Sequence, residues 1–344
     1  MTDSALLHAL RLVARGLPLS RQEAAAAFRV LMRGQATPVQ SAALLFGLRA
    51  RGEQPEELAG AADALRAEMV AVDAHQPARL VDTCGTGGGT VTTLNLSTAA
   101  AFVVAGAGVP VAKHGNRSFT SRSGSADVLE ALGVGIDLDS VRCAEVLEET
   151  GLVFLFAPNF HPAMRHVAAA RRELAVPTIM NLLGPLVNPA GARRQVVGVA
   201  DLDRGPLVAE ALLLLGTLHA MVVHADAGMD EVSPMGMTTV WEVQNGAVQE
   251  WRLDPEQLGW ATSQLDGLAG GTPAENAARI EALLGGGGTE EERNAVLLNA
   301  AAAIAVSEDE TDLEVAAQRA GAALDQGDAA RVLRELRRAA PRQG

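Results

Sequence analysis

The 344-residue chain contains no tyrosine, so no phenol can serve as acid, base or nucleophile. It holds one lysine, Lys113, among 28 cationic side chains; the rest are arginine. A compact ammonium and a planar guanidinium are not interchangeable, so a lone lysine is a candidate for a specific task. Cysteine is limited to Cys84 and Cys143, too few for a disulfide framework or a zinc cluster. That scarcity fits a reducing compartment. No apolar run reaches the roughly 18 residues of a membrane span. The start, Met1-Thr2-Asp3-Ser4, has an acid where a secretory signal has basic residues. The expected location is the cytoplasm. Positive charge is short as well: 28 Lys and Arg face 41 Asp and Glu, a formal net charge of −13. Such a balance argues against a nucleic-acid surface and against adhesion to anionic membranes. Several motifs are missing. There is no Gly-Lys pair, which excludes a P-loop, no Gly-x-Ser-x-Gly elbow and no metal-type histidine cluster.

What is present reads as globular: hydrophobic residues make up 48 % and charged residues 20 %. The length allows one large domain or two ordinary ones. Residues 3–73 carry helical signals only. Ser20-Arg21-Gln22-Glu23 is a capping box before an Ala-rich run. Thr37-Pro38-Val39-Gln40 opens a helix with Pro38 at its first position, and Pro55-Glu56-Glu57 opens another. His75-Gln76-Pro77 reads as a linker. Beyond residue 80, short β-branched runs at 80–82, 109–112, 152–156, 195–199 and 221–224 alternate with helical patterns at 97–106, 125–132, 140–150, 162–174 and 206–215. This alternation predicts an α/β fold with a mostly parallel sheet flanked by helices. Residues 240–252, with Asn245-Gly246 at the turn, predict a β-hairpin. Thr272-Pro273-Ala274-Glu275 caps a return to helices, separated by the glycines at 285–288.

Five segments carry chemistry. Asp82-Thr83-Cys84-Gly85-Thr86-Gly87-Gly88-Gly89 leaves a strand and leads through Thr93 to Thr98 into a helix. Clustered glycines let backbone N–H groups surround a phosphate, and the helix N-terminus adds favourable charge. The Rossmann pattern fails at Thr90. Read alone, the segment is either a loose turn or an anion site. Residues 113–127 hold three cations, His114, Asn116 and five hydroxyls in an acidic protein. They form either a solvated loop or an anion-binding one, at a strand end where α/β sheets bind ligands. Asp230-Glu231 is either solvated charge or a pair of hard oxygen ligands for Mg²⁺ beside a phosphate. His161-Pro162-Ala163-Met164-Arg165-His166 leads to Arg171 and Arg172; His161 reads as a cap, His166 as structural, and either arginine as surface charge or as a carboxylate clamp. Asn181-Leu182-Leu183-Gly184-Pro185-Leu186 is too apolar for a free loop and reads as a packed turn able to line a pocket or a hinge. Cys84 sits in the glycine segment and Cys143 inside a helix pattern, so neither supports nucleophilic catalysis.

Taken together, these motifs resemble the anthranilate phosphoribosyltransferase family of tryptophan biosynthesis. Lys-His-Gly-Asn-Arg, the Ser123–Gly133 stretch, His-Pro-Ala-Met-Arg and Asn-Leu-Leu-Gly-Pro-Leu occur in the family's order and spacing across nearly the whole chain. The resemblance implies a small helical domain, residues 1–75 joined by helices from about 162–190, and a large α/β domain, residues 78–344, with the active site near the hinge. It implies a homodimer formed through the helical domains, and leaves association with other tryptophan-pathway enzymes open. The implied reaction moves phosphoribose from phosphoribosyl pyrophosphate (PRPP) to the amine of anthranilate, with two Mg²⁺ per subunit. The implied PRPP residues are Gly85, Gly88, Gly89, Thr93, Asn95, Leu96, Ser97, Thr98, Lys113, His114, Gly115, Asn116, Arg117, Ser118, Phe119, Thr120, Ser121 and Ser125. Ser97, Asp230 and Glu231 are the implied Mg²⁺ ligands. Gly85, Asn116 and Arg171 would contact anthranilate, with His114 and Pro185 near its ring. Lys113, His114, Asn116 and Arg171 form the implied catalytic set.

Three positions depart from the family pattern. Gly89 replaces the usual Asp of Gly-Thr-Gly-Gly-Asp, removing a carboxylate beside PRPP. Ala175-Val176-Pro177-Thr178 replaces Gly-Ile/Val-Arg-Thr, so Pro177 supplies neither cation nor N–H. Thr120 and Arg122 replace Ser and Lys, keeping hydroxyl and charge. The competing expectations are a phosphoribosyltransferase for another aromatic amine, a pyrimidine nucleoside phosphorylase, whose longer basic glycine loop is missing, and a non-catalytic paralogue of the same fold.

Overall fold

The computed structural model describes residues 3–89, 91–118, 122–264, 266–308 and 312–342. Four helices open the chain: α1 (Asp3–Val13), α2 (Arg21–Met32), α3 (Pro38–Arg51) and α4 (Pro55–Arg66). The capping boxes at Ser20 and Thr37 form as the sequence predicts; Ser20 Oγ accepts from the Glu23 N–H and the Glu23 carboxylate accepts from the Ser20 N–H. Helices α2 and α4 cross at Gly60. A Cβ there would lie 2.4 Å from the Arg21 carbonyl oxygen and 2.8 Å from the Ala24 Cβ. Gly60→Ala gains about 1 kcal/mol of helix propensity but must push the helices apart. We expect a net loss of about 1–3 kcal/mol in thermal unfolding; an unchanged or raised Tm would contradict this crossing.

The remaining elements build one seven-stranded sheet in the order β3-β2-β1-β4-β5-β6-β7. The strands are β1 (Val81–Asp82), β2 (Val111–Gly115), β3 (Leu152–Phe156), β4 (Arg194–Gly198), β5 (His219–Ala225), β6 (Thr238–Gln244) and β7 (Ala247–Leu253). The first five run parallel; β6 and β7 form an antiparallel hairpin at one edge. Asn245 and Gly246, both at positive φ, make its turn as expected. The helices between and after the strands are α5 (Leu96–Gly106), α6 (Ser125–Ala131), α7 (Ser140–Thr150), α8 (Ala157–Phe160), α9 (Ala168–Leu174), α10 (Gly205–Leu214), α11 (Pro273–Leu284), α12 (Glu290–Val306), α13 (Leu313–Asp325) and α14 (Asp328–Ala339). From β1 the chain moves to β2 on one side and later returns to β4 on the other. That reversal opens a crevice at the strand C-termini, where open α/β sheets take their ligands.

Two expectations need correction. The strand expected at 109–112 runs through Lys113, His114 and Gly115, which pair with Phe154, Leu155 and Phe156. The polar side chains mimic a loop, but the neighbouring strand supplies the ladder. The helix expected at 162–174 is broken: Pro162–His166 is a 3-10 turn, and α9 starts only at Ala168.

One apolar core lies between the sheet and α5, α7 and α11–α14. α5 and α12 are Ala-rich and buried almost throughout, as expected of central helices. The second core joins α1–α4 to residues between 163 and 187, to α10 and to the other face of β4–β6. The N-terminal helices therefore share their interior with the 163–187 segment. Backbone bonds Val70 N–H to Phe160 O and Val72 N–H to Pro189 O tie the two where the chain leaves α4.

Candidate active site

The C-terminal ends of β1, β2, β4 and β5 surround a cavity of about 890 Å³, closed from the other side by the 157–187 segment. The glycine segment after β1 forms one wall. Gly87 and Gly88 have φ of 65° and 89°, which favours glycine. At Gly85 a Cβ would sit 3.0 Å from the Gly198 carbonyl oxygen, so the loop packs on the end of β4. The Thr86 N–H donates to that same carbonyl at 2.8 Å.

Lys113 lies under this loop, 2 % exposed. Its Nζ donates to Thr83 O at 3.1 Å, Thr83 Oγ1 at 3.1 Å and Ser97 Oγ at 3.2 Å. None of these partners is a carboxylate. Burial lowers the ammonium pKa, opposed chiefly by the Asp82 carboxylate. Lys113 is thus a desolvated cation in the same cavity wall as the glycine loop, a preorganised partner for an anion. Asp82, fully buried, is pushed up to about 6 by desolvation. It accepts from Asn188 Nδ2 at 2.7 Å and from the His114 N–H at 3.1 Å, and so fixes β2 against the 184–188 turn.

Asp230 and Glu231 face the glycine loop. Burial, and for Glu231 also the charge of Asp230, drives both pKa values up, Glu231 to about 8. Thr93 Oγ1 donates to Glu231 at 2.9 Å. Asn299 of α12 fixes the adjoining backbone by bonds to the Val232 N–H and carbonyl. Among the described residues, no cation bonds either carboxylate. Two adjacent half-buried carboxylates, hard oxygen donors, fit a divalent cation such as Mg²⁺. By contrast, Asp82, Cys84 and His114 bring donor atoms within 4.8 Å of one another. That set is a poor match for Mg²⁺: it includes a thiol kept protonated by burial and an imidazole.

Gly89 explains a local contact. A Cβ at this position would come within 2.7 Å of Asp230 Oδ1, so glycine lets the Asp230 carboxylate lie against the loop.

The other wall is less polar. His114 Nδ1 lies 3.0 Å from the Gly184 carbonyl, which accepts its proton and leaves Nε2 as a lone pair. His114 and His161 meet edge to face, ring centroids 5.0 Å apart. His114 Nε2 and both ring nitrogens of His161 are buried without a well-formed hydrogen bond, although the Val187 backbone lies close to His161. Desolvation brings His114 down to about 3 and His161 to about 4, so both are neutral at pH 7. Arg171, on α9, borders the cavity half-buried, and desolvation alone lowers its pKa. Its guanidinium makes no hydrogen bond or ion pair among the described residues.

Sixteen of the expected residues line this cavity: Gly85, Gly88, Gly89, Thr93, Asn95, Ser97, Lys113, His114, Gly115, Asn116, Arg117, Ser118, Ser125, Arg171, Asp230 and Glu231. Some of them are already committed elsewhere. Asn95 bonds Ser123 and Asn276, and Arg117 is held by Asp127 and Glu130 on α6. Leu96, Thr98 and Pro185 are not brought to the cavity. Leu96 is fully buried, Thr98 faces a small apolar gap beneath α5, and the Pro185 carbonyl accepts from Gln195. Phe119, Thr120 and Ser121 lie outside the described residues. Sequence reasoning missed His161 and Arg165 as wall residues, whereas the turn from Asn181 lines the pocket as expected, through Asn181, Leu183 and Gly184. The His-Pro-Ala-Met-Arg motif held the signal, because Pro162 starts a turn whose Ala163 faces the core.

Two family models cover most of the chain: the glycosyl transferase family helical bundle domain matches residues 7–69 and its a/b domain residues 77–330. A protein of Bradyrhizobium named anthranilate phosphoribosyltransferase is 48 % identical over 324 residues, 94 % of this chain and 95 % of the relative. One of Anaeromyxobacter dehalogenans with the same name is 49 % identical over 329 residues, 96 % of this chain and 97 % of the relative. The crystal structure of anthranilate phosphoribosyltransferase from Thermus thermophilus superposes with a TM-score of 0.89 at 43 % identity, covering 96 % of this chain and 99 % of that one. The Saccharomyces cerevisiae enzyme in complex with PRPP and Mg gives a TM-score of 0.88 at 28 % identity, covering 98 % of each chain. With its helical bundle, its α/β domain and this cavity at the sheet's switch point, the chain belongs to the anthranilate phosphoribosyltransferases of the glycosyl transferase family.

Proposed function

We propose that this chain transfers the phosphoribosyl group of PRPP to the amine of anthranilate, giving N-(5-phosphoribosyl)anthranilate and pyrophosphate in tryptophan biosynthesis. One observation carries this reading. A single cavity joins an anion receptor, made by the glycine loop and Lys113, to an unpaired, desolvated Arg171 beside neutral imidazoles. The first end suits pyrophosphate and the second an aromatic carboxylate. A related yeast structure is described in complex with 4-fluoroanthranilate, at 27 % identity and a TM-score of 0.87.

In the reaction the ribose C1–O bond to pyrophosphate breaks and a C1–N bond to the amine forms; the nitrogen then loses one proton. Gly85 to Gly89, the α5 N-terminus and Lys113 neutralise the departing pyrophosphate. Asp230 and Glu231 would hold one Mg²⁺ and Ser97 a second, supplying further charge neutralisation on the phosphates. The aryl amine is already unprotonated at pH 7, so attack needs no strong base. Its main demand is alignment with C1, which can contribute about 7–11 kcal/mol. Arg171 on the carboxylate and Asn116 beside the amine provide it, while His114 and His161 flank the ring. Product analysis with an acceptor panel tests the reading. Anthranilate should be consumed with release of pyrophosphate; turnover of a different aromatic amine with anthranilate inert would replace it.

We also propose the cytoplasm as the compartment, supported by the two free cysteines, Cys84 and Cys143. No helix among the described residues is long and apolar enough to cross a membrane. A homodimer through the N-terminal helices is supported by one face of α3. Val39 (77 % exposed) and Phe46 (52 %) align there with Ala43 and Ala50 at helical spacing. Phe46→Glu should give a monomer by light scattering; a dimer of unchanged stability would place the interface elsewhere.

A further inference from the structure

Apart from the carboxylates assigned to Mg²⁺, one set of metal-type donors converges among the described residues. Asp82, Cys84 and His114 each bring one donor atom within 4.8 Å of the other two. Residue spacing does not announce this set, because strand pairing assembles it. β1 ends at Asp82, Cys84 follows two residues on, and β2, parallel beside β1, carries His114. Asp82 and His114 are 0 % and 3 % exposed. Cys84 and His114 line the cavity, so an ion reaches the set from there.

Each side chain has a lone pair to give. Asp82 accepts from Asn188 Nδ2 and the His114 N–H, which fill two of about four acceptor positions on a carboxylate. Cys84 is a free thiol whose Sγ makes a long contact, 3.6 Å, with the Gly85 carbonyl. His114 Nε2 is buried and makes no hydrogen bond among the described residues, while Nδ1 donates to the Gly184 carbonyl. A backbone carbonyl on the other ring nitrogen is a common support of a metal-bound histidine. Thiolate, imidazole and carboxylate together suit a borderline-soft ion such as Zn²⁺. The two anionic ligands cancel its charge in this buried place. Zinc bonds of about 2.0–2.3 Å put tetrahedral ligands roughly 3.3–3.8 Å apart, so the donors must close by at most about 1.5 Å.

We propose that Asp82, Cys84 and His114 form an inhibitory site for a thiophilic divalent ion of the Zn²⁺ class, its fourth position open to the cavity. Binding exchanges the Cys84 S–H bond for an S–metal bond and releases one proton to solvent, with no change of oxidation state. Asp82 is anchored by its two bonds, whereas Cys84 opens the glycine segment, so closure of the donors moves the root of the loop. That shift takes Gly85–Gly89 out of the position set by the Thr86 N–H bond to the Gly198 carbonyl. Because this loop is the PRPP receptor in the reading above, the inhibition rests on that reading; binding of the ion does not.

The test first titrates Co²⁺, a spectroscopic stand-in for Zn²⁺, into the metal-free protein without substrates. Wild type and Cys143→Ala should develop a thiolate-to-cobalt absorption band that saturates at one equivalent, is displaced by Zn²⁺ and survives excess Mg²⁺. Cys84→Ala should show no band. Steady-state rates are then measured at saturating Mg²⁺ with added Zn²⁺. In wild type, Zn²⁺ should raise the KM for PRPP with kcat unchanged, and a Zn²⁺-selective chelator should restore the rate. Cys84→Ala should retain turnover and need at least about tenfold more Zn²⁺ for half-inhibition. A missing band in wild type, a band that persists in Cys84→Ala, or equal Zn²⁺ sensitivity of the two proteins would each overturn the proposal, the last by placing the inhibition at Asp230 and Glu231. A wild type that binds Co²⁺ through Cys84 but is inert toward anthranilate would instead overturn the functional reading and leave the metal site standing.

Discussion

Lys113→Met is expected to lower kcat/KM for PRPP by about 10²–10³-fold, the loss typical of removing one preorganised charge-stabilising donor. It should leave the fold as stable as before or more so. The ammonium is buried, its three partners are uncharged oxygens, and desolvation already depresses its pKa. A buried ammonium whose hydrogen-bond partners are all neutral destabilises the folded state, and an apolar side chain of similar length removes that penalty. Activity and stability are thus predicted to move in opposite directions. Kinetics and thermal unfolding on the same preparation read both. A destabilised variant, or one with near-normal turnover, would make Lys113 a structural residue.

The second large effect concerns Glu231. Its pKa is pushed from 4.5 to about 8 by burial and by Asp230, so in the metal-free protein the folded state holds a proton that the unfolded state has lost. For a raised carboxylate, the stabilising contribution is complete below pH 4.5 and disappears as pH rises through about 8. Metal-free protein should therefore lose stability across that window, and Glu231→Gln should flatten the slope. Mg²⁺ requires the deprotonated pair, so its stabilising shift in Tm should grow with pH and each binding event should release protons. The same substitution should raise the Mg²⁺ concentration for half-maximal rate by at least about 10–100-fold. A Mg²⁺-induced shift independent of pH and intact in Glu231→Gln would remove these carboxylates from the metal site.

Much of this architecture was legible in the chain because local signals agreed with it. The capping boxes at Ser20, Thr37 and Thr272, the strand-helix alternation and the Asn245-Gly246 turn each rest on short-range chemistry. The cavity's polar wall was legible for a related reason: glycines, hydroxyls and the lone lysine have few other uses at strand ends. What escaped depends on contacts remote in sequence. β2 extends to Gly115 because Phe154 to Phe156 pair with it, and no property of Lys113-His114-Gly115 announces that. Arg117 looks like a phosphate ligand until α6 presents Asp127 and Glu130 to it. Leu96 and Thr98 lie at the start of α5, where helical rotation turns their side chains into the core. Residues 162–166 form a 3-10 turn rather than helix, and that turn places Arg165 on the cavity wall.

The central claim is that one cavity brings PRPP and anthranilate together under divalent-metal control. Its most direct test follows anthranilate fluorescence in the purified protein on addition of PRPP, with Mg²⁺ and with chelator. The account predicts a steady loss of fluorescence with Mg²⁺, abolished by chelator and restored by added metal, and slowed strongly in Arg171→Ala. Undiminished fluorescence with both substrates and Mg²⁺ present would contradict it.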